Sequence, residues 1–199
     1  MIKAIVFDYG GVVSSGGLGM GLSKNLSQKL NISEDEATKI LLEPWHSLVR
    51  GQVDEDSFWR QVENQYGQEI STVSKDVWAT WDQMIPRSRI LKLIRELKSK
   101  GYIVGLLSNV VHPTSHIIKI HGGYDLFSPC LLSNELGYAK PDPSIYQKLV
   151  EELPGVMPEE VLFIDDQEKC MPPARELGIK TIVATNEREI IDTVWKALG

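Results

Sequence analysis

The chain has 199 residues, 42% of them hydrophobic and 24% charged, with a formal net charge of −6. That length accommodates one α/β core plus a modest insert, and that composition excludes a disordered chain. The acidic balance argues against nucleic acid or an anionic membrane as the main partner, because both select for basic surfaces.

Two cysteines, Cys130 and Cys170, do not form a CxxC pair or a disulfide framework, and they read as reduced thiols. No apolar run approaches the ~20 residues of a membrane span. The apolar stretch in MIKAIVFD is too short for a signal sequence. These features predict a cytoplasmic protein, and its oligomeric state, monomer or homodimer, stays open.

The first predicted element is Ile2 to Phe7, a branched and aromatic run followed at once by Asp8-Tyr9-Gly10-Gly11. The pattern is that of a parallel strand covered on both faces and ending in a turn. Residues 19–85 then contain no convincing strand. Ser33-Glu34-Asp35-Glu36 is a capping box ahead of a periodic apolar run. Asp54 is placed to cap a helix carrying Phe58, Trp59 and Val62, and a third helix is expected over Ser74 to Met84. From Ser88 the rhythm changes. Ile90, Leu91, Ile94 and Leu97 share a helical face that stops at Gly101. Strand-like runs follow at Tyr102 to Leu107, Val161 to Ile164 and Lys180 to Ala184. Helical patterns lie at Pro143 to Leu153, Pro172 to Leu177 and Glu187 to Leu198. Alternating strands and helices predict a doubly wound, parallel α/β sheet. The expected division is a core of residues 1–15 and 86–199 and an all-helical insert of 16–85.

Ligands of such sheets bind where strands end at their carboxyl edge. The residues expected there are Asp8, Gly10 and Gly11, then Ser108 and Asn109, then Asp165 and Asp166, with Lys140 in a nearby loop. Crowded carboxylates beside an ammonium group suit an anion held by a cation, and oxygen ligands with water suit Mg²⁺. Each residue also has a plainer reading. Asp8 alone is compatible with a turn cap, Asp165-Asp166 with a helix N-cap, Ser108 with a helix cap and Lys140 with a solvated loop.

Four stretches in register resemble the motifs of the haloacid dehalogenase-like hydrolases: VFDYGGVV, LLSN, KPDP and FIDD. The helical segment, with GQVDEDSFW, is similar to the helical cap of one subfamily. The resemblance implies a Rossmann-like core with a cap and a Mg²⁺-dependent phosphomonoester hydrolase acting on a small metabolite such as a sugar phosphate. It implies that Asp8 forms an aspartyl-phosphate, and that Asp8, the Gly10 carbonyl and Asp166 hold Mg²⁺, with Asp165 directly behind or reaching through water. By the same resemblance Ser108, the Asn109 amide, Gly11 and Lys140 serve the phosphoryl group.

One position departs from the family pattern. Phosphatases of this family commonly carry an acid/base aspartate two residues after the nucleophile, and here that residue is Gly10. Such a group is worth ~10²–10⁴-fold in rate. The departure implies slow turnover, good leaving groups, or a proton from His46, Glu43 or His112. It also keeps two rival readings open, a metal-independent 2-haloacid dehalogenase and a binding or regulatory protein that has lost turnover. Further features have two readings each. His112 and His116, spaced i, i+4, suit a metal pair or an exposed helix face. Trp45, Trp59, Trp78 and Trp81 suit a pocket or a helical core. Gly16, Gly17, Gly19 and Gly21 suit a hinge or a surface loop.

Overall fold

The computed structural model describes residues 1–16, 22–67 and 84–199. Among them lies a five-stranded parallel sheet in the order β3-β2-β1-β4-β5. The strands are β1 (Ala4–Phe7), β2 (Ile103–Ser108), β3 (Cys130–Leu132), β4 (Val161–Asp165) and β5 (Lys180–Val183). Nine α-helices are described: α1 (Leu22–Leu30), α2 (Glu34–Val49), α3 (Glu55–Tyr66), α4 (Ser88–Ser99), α5 (His112–Ile120), α6 (Ser133–Leu136), α7 (Pro143–Glu151), α8 (Pro172–Glu176) and α9 (Glu187–Leu198).

The expected doubly wound sheet is present. Its residues alternate between two cores, because successive strand side chains point to opposite faces. Ile5, Phe7, Leu106, Leu162 and Ile164 pack with α4 and α9, while Val6, Leu107 and Phe163 pack with α7 and α8. Both faces are covered, which is why the strands read as continuous apolar runs. Each fully buried aliphatic or aromatic side chain contributes ~1.5–3 kcal/mol of transfer free energy. The short edge strand β3 was not anticipated, since three residues carry no period.

The helical segment forms a third cluster around Leu26, Ala37, Leu48, Phe58 and Val62, joined by Val111 and Ala139 from the loops after β2 and α6. Ser33 accepts from the Glu36 amide, the Glu36 carboxylate accepts from the Ser33 amide, and Asp54 accepts from the Ser57 amide. Both expected caps therefore form. Helix α1 went unforeseen, and the helix expected over Ser74 to Met84 lies almost entirely outside the described residues, as do Trp78, Trp81, Gly17, Gly19 and Gly21. Where the chain leaves and re-enters the sheet domain, Ser14 and Pro86 form an antiparallel bridge, flanked by hydrogen bonds from Ser15 N to Ile85 O (3.0 Å) and from Arg87 N to Val13 O (2.8 Å).

Candidate active site

β1 and β4 are neighbours with Phe7 opposite Ile164, so the next residues, Asp8 and Asp165, emerge side by side at the carboxyl edge. The Asp8 amide donates to the Ile164 carbonyl at 2.8 Å, which fixes that register. Both carboxylates are buried, Asp165 completely. Two adjacent buried anions need a cation, and Lys140 supplies it. Its Nζ lies 2.6 Å from Asp8 Oδ1 and 2.5 Å from Asp165 Oδ2. Burial alone would lower the lysine's affinity for its proton, but the two carboxylates outweigh burial and raise it. Burial pushes the Asp8 carboxyl up to about 7; Lys140 opposes that rise and Asp165 adds to it.

Lys140 is held by its backbone as well as by its charge. The Asn109 side chain accepts from Lys140 N and donates to Lys140 O, both at 2.8 Å. The sequence reading expected the Asn109 main-chain amide to matter. The side-chain role went unseen because 31 residues separate the partners and no spacing rule connects them.

Asp8, Asp165 and Asp166 each present a carboxylate oxygen within 4.8 Å of the others, the one cluster of three potential metal ligands among the described residues. Their environments differ. Asp165 is fully engaged, with Oδ1 accepting from Gln167 N at 2.8 Å and Oδ2 from Lys140. Asp166 is half-buried, its Oδ1 is buried without a hydrogen-bond partner, and burial followed by the Asp165 charge raises its pKa. An unsatisfied buried carboxylate oxygen is costly unless something pairs with it, so Asp166, with Asp8 beside it, fits a hard divalent cation. Gly11 makes room for this arrangement. Its φ is +76°, and a Cβ there would sit 2.3 Å from Asp166 Oδ2. Gly10, with φ −71° and ψ 131°, has dihedrals that any residue can adopt.

A cavity of about 400 Å³ opens above Asp8, Gly10, Asn109 and Lys140. Ser108, buried at the end of β2, is not part of its wall, nor are Gly11, Asp165 and Asp166. The opposite wall is α2. Leu42, Trp45, His46, Val49 and Arg50, at helical spacing, form one face over the cavity. Of the three candidate proton donors, His46 lines this cavity. Glu43 does not, and His112 lines a separate cavity of about 560 Å³ with His116, Asp54 and Glu55. Trp45 therefore faces the pocket, while Trp59 packs in the helical core.

The C-terminus of α2 is pinned to the sheet domain. The fully buried Ser133 hydroxyl donates to Val49 O at 2.6 Å and accepts from Val110 N at 2.9 Å. Gly51, at φ +65°, lies so close to the Asn134 carbonyl that a Cβ would approach its oxygen to 2.1 Å. Sequence reasoning missed both. A signal for the α2 wall was available, because Leu42, Trp45 and Val49 form a second apolar stripe beside Ala37, Leu41 and Leu48.

No described helix is long and apolar enough to cross a membrane. The chain is 28% identical to the sesquiterpene phosphatase astK of Aspergillus oryzae, over 89% of this chain and 87% of the relative. It is 28% identical to the D-ribitol-5-phosphate phosphatase of Bacteroides thetaiotaomicron, over 94% and 93%. An HAD family enzyme of Bacteroides thetaiotaomicron, solved in complex with magnesium and inorganic phosphate, superposes with a TM-score of 0.74 at 27% identity, covering 94% of this chain and 96% of that one. The model of the haloacid dehalogenase-like hydrolases matches residues 2–178, so the chain belongs to that family.

Proposed function

We propose that the protein is a Mg²⁺-dependent phosphomonoester hydrolase working through a covalent intermediate on Asp8. The observation that carries this reading is Lys140 bridging Asp8 and Asp165 beside the partnerless Asp166 oxygen. The relatives named as phosphatases and the magnesium–phosphate complex of a structural neighbour support it.

Asp8, Asp166 and the Gly10 carbonyl would hold Mg²⁺, which when bound supplies charge neutralisation for the phosphoryl oxygens. Asp8 attacks phosphorus through a carboxylate oxygen, the bond from phosphorus to the ester oxygen breaks, and the ester oxygen takes a proton from water or from His46 in the cavity wall and departs as the alcohol. Water then cleaves the aspartyl-phosphate and regenerates the carboxylate. Lys140 favours the ionised form of Asp8 against the effect of burial and faces the charge that develops on the phosphoryl group. Asp165 anchors the lysine, Asn109 fixes its backbone and borders the phosphoryl position, and Gly11 leaves room for the Asp166 carboxylate. Residues 16–85 act as the cap, whose α2 wall covers the cavity and selects the alcohol.

The test is phosphate release from a panel of phosphomonoesters, with Mg²⁺ or with EDTA, by the wild type and by Asp8→Asn. Mg²⁺-dependent release from the wild type should fall at least ~10³-fold in Asp8→Asn. Halide release from 2-haloacids in EDTA, without phosphate release, would overturn the proposal.

A further inference from the structure

We infer that the alcohol part of the substrate is apolar, an alkyl, prenyl or aryl group rather than a polyol; this rests on the phosphatase reading above. Six residues of the cavity wall are apolar: Leu42, Trp45 and Val49 on α2, and Ala139, Pro141 and Cys170 facing them from the sheet domain. Leu42 is the informative member. It is 52% exposed, whereas Ala37, Leu41 and Leu48 on the neighbouring stripe of the same helix are buried. A large aliphatic side chain standing over a catalytic cavity, on a helix that already has its own core, points to an apolar ligand group that covers it.

The polar side of the wall is equally specific. A bound sugar needs a partner for each hydroxyl, since a buried hydroxyl left unpaired costs binding. Beyond the groups around the phosphoryl position, the described wall holds no serine, threonine, tyrosine or glutamate and no aspartate except Asp8. Its other polar side chains are His46, Arg50, Gln167 and Lys169. Arg50 turns back on its own helix, donating from Nη1 to the His46 carbonyl at 3.1 Å. Among the described residues the wall thus offers no hydroxyl and, beyond Asp8, no carboxylate, and the acceptors left for the hydroxyls of a polyol are Gln167 and His46.

A non-hydrolysable series tests this without turnover. Ethyl-, butyl- and hexylphosphonate are titrated calorimetrically into the protein with Mg²⁺. Affinity should rise about two- to fourfold for each added methylene until the cavity is filled. Leu42→Ser, a change at an exposed position, should flatten the rise. In parallel, kcat/KM for hexyl phosphate should exceed that for ribose 5-phosphate by at least about tenfold. A flat phosphonate series in the wild type, or preference for ribose 5-phosphate, would overturn the inference. A rising series with no phosphate released from any ester would sink the phosphatase reading and leave the apolar wall standing.

Discussion

The two sides of the cavity are built by opposite means. The floor is polar, buried and held by short hydrogen bonds. Lys140 has two carboxylates on its head and one asparagine side chain on its backbone, and Asp165 uses both oxygens. The roof is one face of a helix, apolar at Leu42, Trp45 and Val49 and polar at His46 and Arg50, held to the floor through Ser133 and the close approach at Gly51. Catalysis demands fixed groups, because misplacement of reacting atoms by an ångström is costly in rate. Selection of an alcohol demands only shape and polarity, so the roof can vary while the floor stays.

Lys140→Met should separate these regions most sharply. It leaves Asp8 and Asp165 buried together without their cation, and breaking a buried ion pair costs ~3–5 kcal/mol. For a chain of this size that is a fall of about 10 °C in Tm. Thermal unfolding should show it, with phosphate release lost as well. A wild-type Tm in the variant would mean that the floor is not held by this charge.

Gly10→Asp is a second probe of the floor. The backbone at Gly10 already has dihedrals that aspartate accepts, and the residue lines the cavity. Restoring a proton donor there should raise kcat by ~10–10²-fold for esters with poor leaving groups and little for aryl phosphates. Equal effects on both substrate classes would show that leaving-group protonation is not what this enzyme lacks.

The floor was largely legible in the sequence and the roof was not. Asp8, Lys140 and Asp165-Asp166 each follow a strand or sit in a motif whose order can be read along one line. Strand β1 and the caps at Ser33 and Asp54 were legible for the same reason, since period and capping are local signals. Asn109 on Lys140, Ser133 on Val49 and Gly11 beside Asp166 are contacts between distant segments, and they exist only after packing. The α2 wall is intermediate: its second stripe is visible in the sequence, but nothing local says which stripe faces the cavity.

The smallest effect should come from Ser133→Ala. It removes one hydroxyl that serves both Val49 and Val110, worth about 1–2 kcal/mol of stability. Because it loosens the roof and leaves the floor intact, KM should rise a few-fold while kcat changes by less than about twofold. Steady-state kinetics on one good substrate decides this. A fall in kcat at constant KM would place Ser133 with the floor.

The lysine bridge also bears on how the chain is made. Lys140 lies 132 residues from Asp8 and 25 residues from Asp165. β1 is the central strand, and both of its neighbours, β2 and β4, come later in the chain. During synthesis the AIVF segment therefore emerges first and waits, with two unpaired edges, for strands not yet translated. A bare apolar strand is a template for wrong pairing, and β1 has both of its native neighbours only once β4 has been made. Any fragment ending before β4 carries Asp8 but lacks Asp165 to help hold the lysine beside it.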